Sequence, residues 1–376
     1  MDIAEPALDQ PLRLVILGAG FAGIWAAIAA RETVSSLAVD IDIEVIAPQD
    51  RFVPRPRLYQ ANPEQITVPL REILEARRIQ HVEATVTAID PGDAIVRIID
   101  ADGVEDHRRY DRLIVATGST LRPPPIEQDH LHDIDTLETA KALDRRLGQL
   151  GPDATVVVVG AGFVGVELAC ELPTRIPDAR IVLLERATTV APDMGPNPRP
   201  VIEAALAELG VEVRTGVSIE SFDGATVTLA DGEQFSAEVV VWAGGIQASS
   251  LTAQVPGDRD EHGRLSVDQT QRVRGQAAIF AAGDTAVPLD ESGQPVAQSA
   301  QHAMPQGTTA GHNAVADLSG APLIELTTMP YGVCLDLGAA GAVFTQGWER
   351  DVALVGDDAK AIKRDIMNTW LYPPPV

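Results

Sequence analysis

Positive charge is scarce in this chain of 376 residues, with 29 Lys and Arg against 54 Asp and Glu and a formal net charge of −25. A surface of that sign repels nucleic-acid phosphates and anionic lipid headgroups, so neither nucleic acid nor electrostatic attachment to a membrane is expected. Cysteine is scarcer still: Cys170 and Cys334 lie far apart and form no CxxC, which excludes a local vicinal redox disulfide and leaves both as packing residues. Long apolar runs are missing too. The charge-free stretches 14–30 and 154–166 are interrupted by glycine and fall short of a spanning helix, so any membrane association is peripheral. The amino terminus, MDIAEPALDQPLRL, lacks the basic-then-apolar pattern of a secretory signal, and a cytoplasmic location is expected. There is no Ser-His-Asp arrangement and no phosphate-hydrolysing motif. His130 and His132 sit in a polar loop with no third ligand in view, so no metal is expected.

What is present is a folded chain, 45% hydrophobic and 22% charged, long enough for two or more domains with real cores. Residues 13–31 (RLVILGAGFAGIWAAIAAR) read as a strand, a tight turn at Gly18-Ala19-Gly20-Phe21-Ala22-Gly23, and a helix. Such a turn is a place for a pyrophosphate. Gly18 allows the sharp turn, Gly20 clears the approach of the phosphates, Gly23 lets helix and strand pack, and the helix N-terminus offers unpaired N–H groups to the anion. Residues 155–167 (TVVVVGAGFVGVE) repeat the device with Gly160, Gly162 and Gly165, and Phe163 matches Phe21. Two such units in one chain imply two dinucleotide sites.

A dinucleotide site expects an acid at the end of the second strand, for the adenosine ribose. In the first unit that position is Ala47; Glu44 inside the strand and Asp50 beyond it are imperfect substitutes. In the second unit it is Glu185, about 20 residues after Gly165, which favours a 2′-hydroxyl over a 2′-phosphate and hence NADH over NADPH, with Arg186 moderating the preference. Between the units run the alternating strands 82–90 and 94–100 and a buried strand at 110–118; 133–150 reads as a helix. The second half replays this order, with a helix at 200–209, hairpins over 211–244 and a closing strand at 237–245. Next come a short strand at 279–285, a helix start at 299–312 interrupted by Pro305, a strand at 332–344 and a helix at 358–371.

Over nearly its whole length the sequence resembles the two-dinucleotide-domain flavoprotein oxidoreductases, most closely the type II NADH dehydrogenase and apoptosis-inducing-factor-like branch. The resemblance is carried by GAGFAG (18–23), YDRLIVATG (110–118), GAGFVGVE (160–167), VWAGG (241–245), FAAGDT (280–285) and AQHAMPQG (300–307). It implies an α/β fold of two Rossmann-like domains, the NAD domain inserted in the FAD domain, plus a small C-terminal α+β part. The expected division is 1–122 and 244–320 for FAD, 123–243 for NAD(H), and 321–376 at the C-terminus.

By the same resemblance Gly18, Gly20, Gly23, Thr117 and Gly118 would lie at the FAD, and Asp284 would accept hydrogen bonds from its ribityl chain unless it caps the next segment. Phe21, Ala22, Gly245, Gly283 and Gln301 would complete the cofactor contacts, with Gly160, Gly162, Gly165 and Glu185 at the nucleotide; His302, beside Gln301, approaches the flavin or else is a satisfied neighbour of the backbone. Glu167 falls where the family keeps a glutamate near the nicotinamide, or else is a first-turn acid favoured by the helix dipole; with Gln301 it is the catalytic candidate. Arg55 and Arg57 face the flavin or a phosphate, or serve at a surface or interface. Ala47 would cost the FAD one or two charge-assisted hydrogen bonds, on the order of 1.5–3 kcal/mol each.

The implied activity is FAD-dependent NADH oxidation, with hydride passing to flavin and electrons on to a quinone, dioxygen or a small redox partner that meets the flavin directly. A homodimer is compatible with it. Pro305 stands where quinone-reducing relatives carry a further glutamine, Gln301 is retained, and the extra C-terminal amphipathic segment of those relatives is not expected here, which weakens quinone reduction at a bilayer; 358–371, though somewhat amphipathic, is expected to pack on its own domain. Two other readings stay open: a nucleotide-binding sensor or interaction protein that turns over poorly, and a pathway-specific reductase of a small organic substrate or electron-transfer protein.

Overall fold

The computed structural model describes residues 11–290, 292–328 and 330–375. The stretch 1–10, most of the segment read as lacking a secretory signal, lies outside the described residues. The first glycine-rich unit forms β1 (Leu12–Leu17), α1 (Phe21–Leu37) and β2 (Ile41–Ala47). Four of the six β1 side chains are buried, which requires both faces of the sheet to be covered. With β3 (Gln80–Glu83), β4 (Arg112–Val115) and a later strand, Ile279–Ala281, these build a five-stranded parallel sheet in which β1 lies between β4 and β2. Strands from either side of the second unit thus share one sheet.

The second unit repeats this arrangement. A short strand β5 (Ser119–Leu121) leads away from the first sheet to Leu131–His132 and α2 (Leu137–Leu147). Then come β6 (Thr155–Val159), α3 (Phe163–Arg175), β7 (Arg180–Glu185), α4 (Arg199–Glu208), β8 (Glu212–Thr215) and β9 (Val239–Trp242). β6 is wholly buried between β7 and β9 in a second parallel sheet. The chain returns along β10 (Ile246–Ala248), antiparallel to β5, and enters β11 (Ile279–Ala281). A three-stranded antiparallel meander precedes the return in each half, at residues 85–109 and 219–236.

Pro305 does not interrupt the following helix: α5 runs unbroken from Ala300 to Ser319 with Pro305 inside it. Packing outweighs the lost N–H. Gly307 and Gly311 bring α5 against α1 so closely that a Cβ on either would stand 2.2 and 2.1 Å from the carbonyl oxygens of Ala22 and Ala26. The C-terminal strand read at 332–344 is a hairpin, β12 (Gly332–Asp336) and β13 (Ala342–Gln346), turned by a 3-10 segment Gly338–Ala340. A third strand, β14 (Asp351–Val355), precedes α6 (Gly356–Asp365) and a π-helical turn, Ile366–Trp370. Ala359 and Lys363 of α6 and Met367 beyond it are buried, so this segment packs on the protein's own body.

Candidate active site

A cleft of about 2780 Å³ opens where the strands of both sheets end, reaching Ile46, Ala116, Val159, Leu184, Trp242 and Ala282. Pockets for one small ligand reach about 1,000 Å³ at the upper end, so there is room for two extended ligands. Gly18, Gly20, Phe21, Ala22, Thr117, Gly118, Gly160, Gly162, Glu167, Glu185, Gly245, Gly283, Asp284 and Gln301 all line it.

The two glycine-rich turns are near-superimposable in their constraints. Gly18 and Gly160 have φ of +100° and +105°, a region closed to most side chains, and each bonds back to the second strand, Gly18 N to Ile46 O and Gly160 N to Leu184 O, both at 2.8 Å. A Cβ on Gly18 would meet Ala116 O at 2.3 Å, and one on Gly160 would meet Ala243 O at 2.5 Å. Gly20 and Gly162 begin α1 and α3 with no side-chain cap, leaving the first N–H groups free for an anion. Gly23 and Gly165 stand behind the cleft, where helix meets turn. The Thr117 hydroxyl is buried without a partner beside the first turn, as expected of a group waiting for a ligand. The residues present therefore fit two dinucleotides, one on each turn.

At the ends of their second strands the two units differ. Glu185 accepts from Ala161 N and Ala187 N, each at 2.7 Å, so its carboxylate is fixed at the rim of the second turn. At the first site Glu44 cannot take the acid's place: it is paired with Arg108 at 2.9 Å. Asp50 lines the cleft, and so does Glu83, which sits in register with Ala47 on the neighbouring strand.

Asp284 does not cap the next helix, since Ser299 caps α5. Its carboxylate accepts from Ser119 Oγ at 2.6 Å, and Ser119 accepts from Arg55 Nη1 at 3.0 Å. Arg55 is also salt-bridged to Asp135, tying the flank of the first turn to the segment that opens α2. Arg57 instead reaches Tyr372 Oη at 2.8 Å and the Met367 carbonyl at 3.1 Å, an interface role. Gln301 donates to the Pro330 carbonyl at 3.1 Å. His302 does not line the cleft; it is buried, with Nδ1 2.9 Å from Ser299 Oγ and its ring stacked on Tyr331, and burial lowers its pKa. His130 packs edge-on against Phe222.

Glu167 is not a first-turn acid. It lies in the second turn of α3, 7% exposed, and pairs with the equally buried Lys363 at 2.7 Å. It also accepts from Asp336 N at 3.0 Å. Burial raises its pKa, while Lys363 and the Asp336 amide act in the opposite direction. Asp336 in turn is salt-bridged to Lys360 and accepts from Tyr59 Oη at 2.9 Å. Sequence reasoning misses Lys363, Lys360, Asp336 and Tyr59. One signal points toward them: the chain has three lysines, and two of them fall within one turn of α6. Burial raises the pKa of Cys170 and pushes that of Cys334 up to about 11, which disfavours the thiolate form of each.

Two glycine-rich turns shaped for pyrophosphates on one cleft, with the buried Lys363–Glu167 pair beside the second, fit a flavin- and pyridine-nucleotide-dependent oxidoreductase. The model of the pyridine nucleotide-disulphide oxidoreductase family matches residues 12–307, and the chain belongs to that family. It is 41% identical, over 96% of this chain and 94% of the other, to an NADH dehydrogenase-like protein of Mycobacterium tuberculosis. It is 30% identical, over 90% of this chain and 87% of the other, to the demethylphylloquinone reductase of Synechocystis. Among solved structures, NDH2 of Plasmodium falciparum in complex with NADH shares the fold, with a TM-score of 0.81 at 14% identity over 97% of this chain and 95% of that one. Among the described residues no helix is long and apolar enough to cross a membrane.

Proposed function

We propose that the protein is an FAD-dependent NADH oxidoreductase that passes electrons directly to a quinone-class acceptor. The observation that carries this is the pair of near-identical glycine turns facing one cleft, with no redox cysteine pair between them. In this reading residues 1–122 and 244–320 form the flavin domain, 123–243 the nucleotide domain and 321–376 the C-terminal domain. Gly18, Gly20 and Gly23 shape the flavin turn, with Phe21, Ala22, Thr117, Gly118, Gly283 and Asp284 around it. Gly160, Gly162, Gly165, Glu185 and Gly245 serve the nucleotide, and Glu83 stands in for the acid missing at Ala47. The quinone acceptor is supported by the names of two relatives, the demethylphylloquinone reductase of Synechocystis and a type II NADH:quinone oxidoreductase of Staphylococcus aureus, the latter 27% identical. A cytoplasmic site of action belongs to the same proposal.

When bound, the flavin supplies a two-electron carrier between nicotinamide and acceptor. The protein's own part is alignment and proton supply. The glycine turns would hold the two pyrophosphates, each at the uncapped N-terminus of its own helix on the one cleft. Reducing a quinone with the electrons of one NADH consumes one proton beyond the hydride, and the Lys363–Glu167 pair, lining the cleft while shielded from bulk water, holds it there. Gln301, also on the cleft, would orient a carbonyl of the acceptor with the amide N–H that it does not give to Pro330 O.

Nucleotide choice tests the second site. Glu185→Gln removes the charge that repels a 2′-phosphate while keeping the side-chain shape. The ratio of kcat/KM for NADH over NADPH is expected to fall by about tenfold or more, the worth of one charge-assisted hydrogen bond. A ratio unchanged by the substitution would show that the nucleotide's ribose does not sit at Glu185.

A further inference from the structure

Arg350 carries three features that the two glycine turns and the Lys363–Glu167 pair do not explain. It occupies the turn between β13 and β14 with φ at +58°, a left-handed conformation that a non-glycine residue adopts at a cost, held by a bond from its N–H to Gly347 O at 3.1 Å. Its guanidinium lies over two rings at once, 4.4 Å from the centroid of Tyr331 and 5.5 Å from that of Phe163. And its Nη1 is buried without any hydrogen-bond partner, although Arg350 lines the cleft. An arginine nitrogen stripped of water and left unpaired is unfavourable unless a ligand completes it.

Phe163 identifies the ligand. It is the first residue of α3, immediately after Gly162, so a guanidinium stacked on its ring is poised at the uncapped end of that helix. The group that belongs there is a diphosphate, and a planar arginine fork suits phosphate oxygens. Local charge calls for such a cation: the Asp193 carboxylate would lie 3.7 Å from a Cβ on Gly162, Glu349 and Asp351 flank Arg350, and the chain as a whole is strongly acidic. The Tyr331 ring, which also makes stacked contacts with His302 and Trp348, is a second aromatic support for the guanidinium.

We infer that Arg350, delivered from the C-terminal hairpin, binds the diphosphate of the nicotinamide nucleotide seated at the N-terminus of α3. The inference rests on the second turn being the nucleotide site. It makes the C-terminal segment a functional part of that site, contributing a diphosphate-binding cation from outside the Rossmann-like unit.

Arg350→Gly is the informative variant, because glycine accepts the left-handed backbone and so removes the guanidinium without straining the turn. Titration of the flavin-loaded protein with ADP-ribose, which has the diphosphate but no nicotinamide, is expected to show affinity reduced about tenfold or more. Adenosine, without the diphosphate, should bind both proteins alike. Arg350→Lys should recover part of the loss, and the KM for NADH should rise in parallel with the ADP-ribose dissociation constant. Equal ADP-ribose affinity in a folded, flavin-loaded Arg350→Gly protein overturns the inference, as does an equal loss for adenosine. A rise in the KM of the quinone alone would overturn it too, by assigning Arg350 to the acceptor. If NADH failed to reduce the wild-type flavin while ADP-ribose still bound through Arg350, the proposed activity would fall and this inference would stand.

Discussion

Gly165→Ala is expected to abolish reduction of bound flavin by NADH while the protein keeps its flavin, and Gly23→Ala to give a protein unable to retain flavin. A Cβ on Gly165 would stand 1.8 Å from Gly160 O, and one on Gly23 would stand 1.9 Å from Gly18 O. Each neighbour is backbone within the same pyrophosphate turn, so the clash cannot be relieved by a rotamer change. The helix must slide or the turn must open, and either displaces the N–H groups that face the phosphates. Overpacking of this kind costs about 1–3 kcal/mol or more, and if it fell wholly on binding, about 3 kcal/mol would weaken the ligand by more than roughly 100-fold. The sites lie on separate sheets, so the two losses should separate. Flavin absorbance per polypeptide and stopped-flow bleaching by NADH read them independently. Loss of flavin from the Gly165→Ala protein with normal retention by Gly23→Ala would reverse the assignment of the two turns.

Lys363→Met is expected to destabilise the folded protein by about 3–5 kcal/mol, because it leaves Glu167 buried without its cation. Both side chains are less than 10% exposed, so solvent cannot substitute for the missing partner. The loss should depend on pH with a definite sign. Burial already raises the pKa of Glu167, and removal of Lys363 raises it further. Between the ordinary glutamate value and that raised value the native state binds more protons than the unfolded one, so stability falls as pH increases through the window. Lys363→Met should therefore lose more stability at pH 8 than at pH 5. Adding Glu167→Gln should flatten that dependence and restore part of the stability. Thermal unfolding of the flavin-loaded proteins at the two pH values measures both. A Lys363→Met protein as stable as the parent at pH 8 would mean that the pair is solvated in solution.

Much of the fold is legible in local sequence patterns. A turn that needs φ near +100° and a phosphate-sized gap can be built only from glycine at fixed spacing, so both turns can be read directly, and with them the two parallel sheets. The place of Glu185 at the end of β7 follows from counting onward from the last glycine. The readings that fail depend on packing that local pattern does not report. Pro305 should break a helix, but Gly307 and Gly311 lock α5 against α1 strongly enough to carry it through. Glu44 looks like a substitute acid, yet Arg108 from a meander strand 64 residues away occupies it. Lys363 lies 196 residues from Glu167, and Arg350 meets Phe163 only because the C-terminal hairpin folds back over α3. Such pairings are made by topology, and no periodicity announces them.

If one cleft carries electrons from NADH through bound flavin to a quinone with no thiol intermediate, the flavin spectrum must follow each transfer. The measurement is the visible spectrum of the purified protein under anaerobic conditions, recorded before and after NADH and again after a soluble quinone. The expected result is a flavin band that bleaches on NADH, faster than on NADPH, and returns in full on adding quinone, with both cysteines replaced by serine as well as in the native chain. A protein that binds no added FAD, or a flavin band that NADH leaves unchanged, would contradict it.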